Sequence, residues 1–453
     1  MAGSKKDLEA EVPVHVEHTV GVQQNHDDVF GELSDDAPNF RNVGFIGTII
    51  LMMKSQIGLG VLAIPSAFDI LGMVPGIICL FVMAFITTWS GYIIGTFKLK
   101  HREVYSIGDA GGIMFGLPGR IYLASGFCLL DQPYSCLSHA TCTAVFAAVA
   151  AIVGFGFSSI RTLGRITWLA WVSLPCIITA VITVTIAVGI QDRPAAAPAT
   201  GGPWVSDWKV VGNPSFAEGI AAASSLLFAF SGTPGFFSIV SEMRNPERYP
   251  AAMATCQAGV TAVYAIIGGV IYYYCGSYVS SPALGSAGGV IKIVSYGFAL
   301  PGLLGTMTIV THIPSKFIFV HLLRGSKHLS SNTPTHWMSW FGCTFGVTVI
   351  AWIIASTIPV FNALVSLIGA LLGPVLCIQP MGAMWLYDNW EKGKSQKKTK
   401  SWILGTVWSV TLIILGVFLM VAGTYGSVLS IMTAYSESGG SVAFSCGDNS
   451  NST

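Results

Sequence analysis

Charge is what this sequence has little of. Of its 453 residues only 10% are Asp, Glu, Lys or Arg, whereas an ordinary soluble domain carries about 25%. So few charges cannot clothe a water-soluble globule of this size, which excludes a soluble enzyme. Neither sign is in excess, with 23 Lys and Arg against 22 Asp and Glu, so nucleic acid is not an expected partner. CxxC pairs, His/Cys clusters at metal-ligand spacing, HExxH and GxSxG are all missing. That leaves no metal site, no cofactor site and no nucleophile from which a membrane-embedded enzyme could be built. The ten cysteines lie mostly inside apolar runs and read as small hydrophobes. A leading apolar segment is absent too. Residues 1–42 are acidic and polar, with Asp7, Glu9, Glu11, Asp27, Asp28, Glu32, Asp35 and Asp36. They read as a solvated, disordered cytoplasmic tail rather than a signal or transit peptide.

What is abundant is hydrocarbon: 52% of residues are hydrophobic and the mean hydropathy is +0.65. A helix crossing a bilayer needs about 20 apolar residues. Pro, Gly and basic clusters divide residues 43–424 into eleven such spans, near 43–68, 71–97, 119–141, 143–159, 166–190, 216–242, 252–279, 291–323, 338–358, 360–386 and 401–424. The fold class is therefore all-α, a polytopic protein of the lipid bilayer. Lys and Arg collect on the cytoplasmic side of such proteins, and with the amino end inside they do so here. Lys98, Lys100, Arg102, Arg120, Arg161, Arg165, Arg244, Arg248, Arg324, Lys327, Lys392, Lys394, Lys397, Lys398 and Lys400 fall in inner loops, against Arg193, Lys209 and Lys292 outside. Removing one span would scatter them over both sides. The amino end is expected in the cytoplasm, residues 425–453 form an extracellular tail, and the plasma membrane is the expected location.

Two spans carry interruptions. The first contains Ser55-Gln56-Ile57-Gly58-Leu59-Gly60 followed by Pro65, and the sixth contains Ser231-Gly232-Thr233-Pro234-Gly235 at matching depth. Gly and Pro both weaken a helix, and a broken helix exposes N–H and C=O groups that must find partners. Interruptions at corresponding places in two halves point to a transport site. A free amino acid supplies both kinds of partner, its carboxylate to helix N-termini and its ammonium to freed carbonyls. For one such span, glycines that merely let helices pack closely would suffice; a pair five spans apart favours the site.

The stretch from Lys54 to Phe68 resembles the first-span motif of the amino acid/auxin permease family. Phe228-Ala229-Phe230-Ser231-Gly232, running on to Ser241-Glu242-Met243-Arg244-Asn245-Pro246, is similar to that family's sixth span. Among its members the fungal neutral amino acid permeases are most alike. The likeness covers about residues 40–424 and leaves both tails unmatched. It implies a LeuT-type fold, two inverted five-helix repeats plus one helix with helices 1 and 6 broken, and secondary active transport of amino acids by alternating access. The family contains sodium-coupled and proton-coupled members, and a Lys one turn before Gly-x-Gly resembles the proton-coupled branch.

Ionisable groups inside a bilayer are costly and mark function. At about 1.5 Å per residue, Lys54, Asp131 and His312 lie near the midplane. Lys316 is nearer the inner surface, where it can snorkel, and Asp69, Glu218 and Glu242 fall near span ends, where they suit capping or gating. Lys54 either pairs with Asp131 or fills the space where sodium-coupled relatives hold an ion. A fixed structural pair is the alternative, and His312 equally suits a satisfied interior histidine. The expected substrate site comprises Ser55, Gly58, Leu59, Gly60, Tyr134, Phe228, Phe230, Ser231, Gly232 and Thr233. The expected coupling or gating set comprises Lys54, Asp131, Thr308, Thr311, His312 and Glu242. Side chains around the breaks are otherwise small and uncharged, which favours a neutral amino acid as substrate and a proton, or else sodium, as the coupled ion. A channel would need a ring of equivalent filter residues that one asymmetric chain lacks. A sensing receptor built on a transporter fold remains an alternative.

Overall fold

The computed structural model describes residues 26–27, 31–32, 41–130, 143–198, 204–326, 328–329, 332–357, 361–395 and 399–437. α1 (Phe45–Gln56) and α2 (Leu59–Leu71) share the first expected span, α3 (Met73–Lys100) is the second, and α4 (Ile107–Leu130) begins the third. α5 (Thr143–Ser158) and α6 (Leu163–Ile190) follow, and α7 (Phe216–Ala229) and α8 (Phe236–Ser241) share the sixth. α9 (Tyr249–Cys275), α10 (Gly289–Leu323) and α11 (Pro334–Thr357) are single helices. α12 (Phe361–Leu371) and α13 (Gln379–Ser395) share the tenth span, and α14 (Lys400–Glu437) is the last. Among the described residues, β structure is limited to a two-residue antiparallel pair, His26–Asp27 with Gly31–Glu32, and one parallel bridge between Val43 and Met243.

Among the described residues, seven segments are long and apolar enough to cross a bilayer, and nine if the bent pairs α1/α2 and α12/α13 each count as one. α5 is a shorter apolar helix, and α4 kinks at Gly116, whose φ is 68°. The bend of 41° in the tenth span was not expected. It falls at Gly373-Pro374, where the proline lacks the N–H that would close the ladder, and the chain passes through a π-helical turn, Pro374–Ile378. α14 runs on to Glu437, past the expected end near residue 424, because Tyr425, Val428, Leu429, Ile431 and Met432 continue its apolar run.

Polarity is distributed as a bilayer demands. Ile78, Phe81 and Phe85 on α3, Ile152 on α5, Ile293 on α10, and Leu404 and Ile414 on α14 are more than half exposed, while Lys54, Glu242, His312 and Lys316 are buried. Lipid tails are as apolar as leucine, so exposed hydrocarbon costs nothing and the interior is free to hold polar groups that pair with one another.

A group of basic residues gathers at one end of the bundle. There Lys100 and His101 meet Asp388 at 2.7 and 3.0 Å, Arg324 and Arg120 reach Asp109 at 3.2 and 3.7 Å, Arg161 reaches Asn332 at 2.7 Å, and Arg244 bonds Asn42. At the far end the segment before α7 lies across the α2–α3 junction. Met73 N–H donates to Lys209 O, Val74 N–H to Val210 O and Gly212 N–H to Leu71 O, at 2.8–3.0 Å. Gly72 makes this crossing possible: its φ is 89°, and a Cβ there would sit 2.2 Å from Gly212 N. The same segment is clasped to the end of α9. Asp207 accepts from the N–H and hydroxyl of Ser277 at 2.8 and 2.5 Å, and the Trp204 indole donates to Tyr274 O at 3.3 Å. Burial opposes ionisation of Asp207, but the Ser277 hydrogen bonds outweigh it and hold the carboxyl below its ordinary value.

Candidate functional site

The first span breaks where its glycines stand. Ile57 (φ −74°, ψ 91°) and Gly58 (φ −151°, ψ −121°) leave helical geometry, and α1 and α2 meet at 48°. The sixth span breaks at Phe230, passes through a 3₁₀ turn, Thr233–Gly235, and resumes as α8. Pro234 contributes by lacking a donor.

The two breaks lie against each other. A Cβ on Gly232 would come 2.5 Å from Ser55 O, and one on Gly60 would come 2.5 Å from Ala229 Cα, so only glycine lets the two backbones approach this closely. Gly58 faces α10, where a Cβ would meet Thr306 Cγ2 at 2.8 Å. Leu59, Phe230, Ser231 and Thr233 are all buried here, and Phe228 is half-buried.

Buried carbonyls freed by a break need donors, and each break is served by named side chains. Lys54 Nζ donates to Ile57 O at 3.2 Å. Ser231 Oγ donates to Leu227 O at 3.0 Å, Thr233 Oγ1 to Phe230 O at 3.0 Å, and Cys377 Sγ approaches Ser231 O at 3.6 Å. Tyr264 on α9 places its hydroxyl 2.8 Å from both Gln56 O and Ala229 O, the last carbonyls of α1 and α7. Ser55 Oγ is turned back to Met52 O at 2.8 Å. No side chain caps the N-terminus of α2. The Gln56 side chain is buried beside the break, with neither amide atom hydrogen-bonded to a described residue. The N–H groups of a helix start without a side-chain cap, carbonyls with a second lone pair to offer and the buried Gln56 amide thus lie together at the breaks, which suits a small zwitterion.

The expected coupling residues separate into different places. Lys54 sits at the break, fully buried. His312 does not: its ring Nδ1 lies 3.2 Å from Ser158 O on α5 and its face meets Trp340 of α11 edge-on at 5.3 Å. That hydrogen bond requires the proton on Nδ1, leaving Nε2 a buried acceptor without a described partner. Thr308 Oγ1 is bonded within its own helix to Leu304 O at 2.8 Å, and Thr311 Oγ1 is buried and unpaired among the described residues. Asp131 and Tyr134 lie outside the described residues. Glu242, at the end of α8, is the centre of a second cluster near the basic end. Its Oε1 accepts from Lys316 Nζ of α10 at 2.5 Å and from the Tyr105 hydroxyl at 3.1 Å. Lys316 does not snorkel: with the pair 2% and 0% exposed, its ammonium is committed to a partner inside the bundle. The backbone of the same corner binds the start of the first span, Val43 N–H to Glu242 O at 3.1 Å and Arg244 N–H to Val43 O at 2.9 Å. Tyr264, Thr306, Cys377 and the Lys316 pairing carry no mark in the sequence, except that a tyrosine or lysine in a span needs a polar partner somewhere.

A helical membrane protein whose first and sixth spans break side by side is a transporter in architecture, and the fold is that of LeuT-type transporters. A Na+-coupled sialic acid symporter, solved substrate-bound and outward-open, aligns with a TM-score of 0.52 over 90% of this chain and 93% of its own, at 13% identity. The family described as transmembrane amino acid transporter protein matches residues 41–139 and 129–429. The chain belongs to that family and is a membrane transporter, not an enzyme. A transmembrane transporter of Gibberella moniliformis is 34% identical over 431 residues, covering 92% of this chain and 90% of that one. The N amino acid transport system protein of Neurospora crassa is 30% identical over the same length and shares.

Proposed function

We propose that this protein is a secondary active transporter that imports neutral aliphatic and aromatic amino acids by alternating access, coupled to protons, with its basic end in the cytoplasm of a plasma-membrane protein. The observation that carries this reading is the apposition of the two breaks, Gly232 on Ser55 and Gly60 on Ala229. There the start of α2 receives the substrate carboxylate, and carbonyls of the sixth-span break receive its ammonium. Neutrality is supported by the surroundings: Leu59, Phe230, Ser231, Thr233, Thr306 and Cys377 are uncharged. Lys54, with its Nζ donating to Ile57 O, fills the place beside the break that a second buried cation, an arginine side chain or sodium, would take, and in its protonated form also repels it. A carboxylate such as Asp131 remains the proton carrier in this reading, and the Glu242–Lys316 pair closes the basic end.

Uptake of labelled phenylalanine and leucine into proteoliposomes tests the reading. Accumulation should rise as external pH falls, persist without sodium, collapse with a protonophore, and be competed poorly by arginine and glutamate. Accumulation on a sodium gradient alone, at equal pH on both sides, refutes proton coupling. Tags in the N-terminal tail, the loop at 191–215 and the C-terminal tail should label from outside as no, yes and yes, and a protected C-terminus refutes the orientation.

A further inference from the structure

The two half-helices that reach the middle of the bundle with their carboxyl ends are α1, arriving from the basic end, and α7, arriving from the far end. Each finishes in a buried carbonyl at the negative end of its dipole, Gln56 O for α1 and Ala229 O for α7. One group serves both. The Tyr264 hydroxyl stands 2.8 Å from each, and the tyrosine is fully buried. Its ring is held on α9 by the edge of Phe230, centroids 5.1 Å apart at 67°. A phenol has one proton to donate, so the two carbonyls share it, and their separation is fixed by a group on a third helix that belongs to neither break.

We infer that Tyr264 is a positioning residue of the transport cycle. Its shared proton holds the carboxyl ends of α1 and α7 in register, and so sets the geometry in which the break backbone meets substrate. Because both acceptors compete for one proton, the arrangement is bistable. Movement of α1 away from α7 transfers the whole hydrogen bond to Ala229 O, and return of α1 restores the sharing. Tyr264 therefore acts on substrate through Gln56 and Ala229, not by touching it. This role rests on the proposed substrate site between the breaks.

Tyr264→Phe keeps the ring and its contact with Phe230 and removes only the donor. In purified protein reconstituted in nanodiscs without substrate, backbone amides of residues 57–60 and 230–232 should exchange hydrogen about tenfold faster than in wild type, as expected for the loss of one buried hydrogen bond. In proteoliposomes KM for phenylalanine should rise about tenfold with maximal rate within about twofold. Tyr264→His, whose ring N–H can still donate, should recover part of both effects. Unchanged exchange in Tyr264→Phe overturns the inference, as does faster exchange with an unchanged KM, since the hydroxyl would then steady the breaks without positioning substrate. Should Tyr264→Phe fail to accumulate while Tyr264→His does, the donated proton is what the breaks require, as the inference states. Failure of both assigns the residue to core packing and overturns it. A wild-type protein that takes up no neutral amino acid refutes the substrate reading instead, and the exchange measurement still decides whether the hydroxyl holds the breaks.

Discussion

Replacing Lys316 with Met, or Glu242 with Gln, removes one half of an ion pair whose side chains are 2% and 0% exposed and whose charged atoms are 2.5 Å apart. The group that remains can shed or take up a proton instead of staying charged, which caps the penalty at about 1.4 kcal/mol per unit between the solution pH and its ordinary pKa. At pH 7 that ceiling is about 3.7 kcal/mol for the carboxyl left by Lys316→Met and about 4.6 kcal/mol for the ammonium left by Glu242→Gln. Both agree with the ~3–5 kcal/mol typical of breaking a buried pair. The signs differ. A buried carboxyl must gain a proton, so the cost of Lys316→Met falls by about 1.4 kcal/mol for each unit of acidification, whereas a buried ammonium must lose one, so the cost of Glu242→Gln rises by the same amount. Thermal unfolding of detergent-purified protein from about pH 5.5 to 8.5 should therefore show the two single variants diverging, Lys316→Met recovering in acid and Glu242→Gln in base. The double variant, with no buried charge at either position, should be less damaged than the worse single and nearly flat with pH. Parallel pH profiles, or a double variant as unstable as its worse parent, would refute the claim that this pair is a desolvated, mutually dependent unit.

Gly60→Val drives a β-branched side chain into Ala229 Cα, 2.5 Å from the Cβ position, and Gly58→Val meets Thr306 at 2.8 Å. Both should depress uptake by at least about tenfold, while the Gly58 variant, whose obstacle is a side chain, still reaches the membrane; normal KM and rate in Gly58→Val would sink its place in the site. The Asp207 clasp should survive mildly acid pH. A carboxyl held below its ordinary value contributes stability that is complete above the unfolded pKa and disappears only as pH falls through the lowered folded value. The Ser277 backbone N–H, which donates to Asp207, should accordingly be as protected from hydrogen exchange at about pH 5 as at pH 7 once the intrinsic pH dependence of exchange is divided out, and should lose protection several-fold when Asp207→Asn is introduced. Acid-induced loss of that protection with Asp207 intact would contradict it.

The breaks were legible because glycine and proline act locally: Gly58, Gly60, Gly232 and Pro234 weaken a helix whatever surrounds them. The bend at Gly373-Pro374 carried the same signal and was absorbed into an apolar run long enough to hide it. Partnerships were not legible. Lys316 and Glu242 stand 74 residues apart, and depth counted from the nearest span end gives Lys316 an apparent route to the surface that its buried pairing with Glu242 forecloses. Tyr264 is one of five tyrosines on α9, with Tyr249, Tyr272, Tyr273 and Tyr274, and nothing in their order says which reaches two carbonyls. His312 reads from the sequence as either a coupling group or a satisfied interior histidine, and periodicity along α10 does not reveal that Ser158 of α5 and Trp340 of α11 stand against it.

The hydrogen bonds at the two ends of the bundle have a mechanical meaning. At the basic end, Val43 is laced to Glu242 and Arg244, so α1 cannot leave without carrying α8. At the far end, residues 209–212 are laced to the α2–α3 junction just before α7 begins, so α2 and α7 are yoked in the same way. Each yoke joins half of one broken helix to half of the other, making two crossed levers out of what the sequence writes as two interrupted rods. The levers touch where Gly60 lies on Ala229 and Gly232 lies on Ser55, and opening one end of the molecule is then a rotation about that contact in which the opposite end need not unfasten.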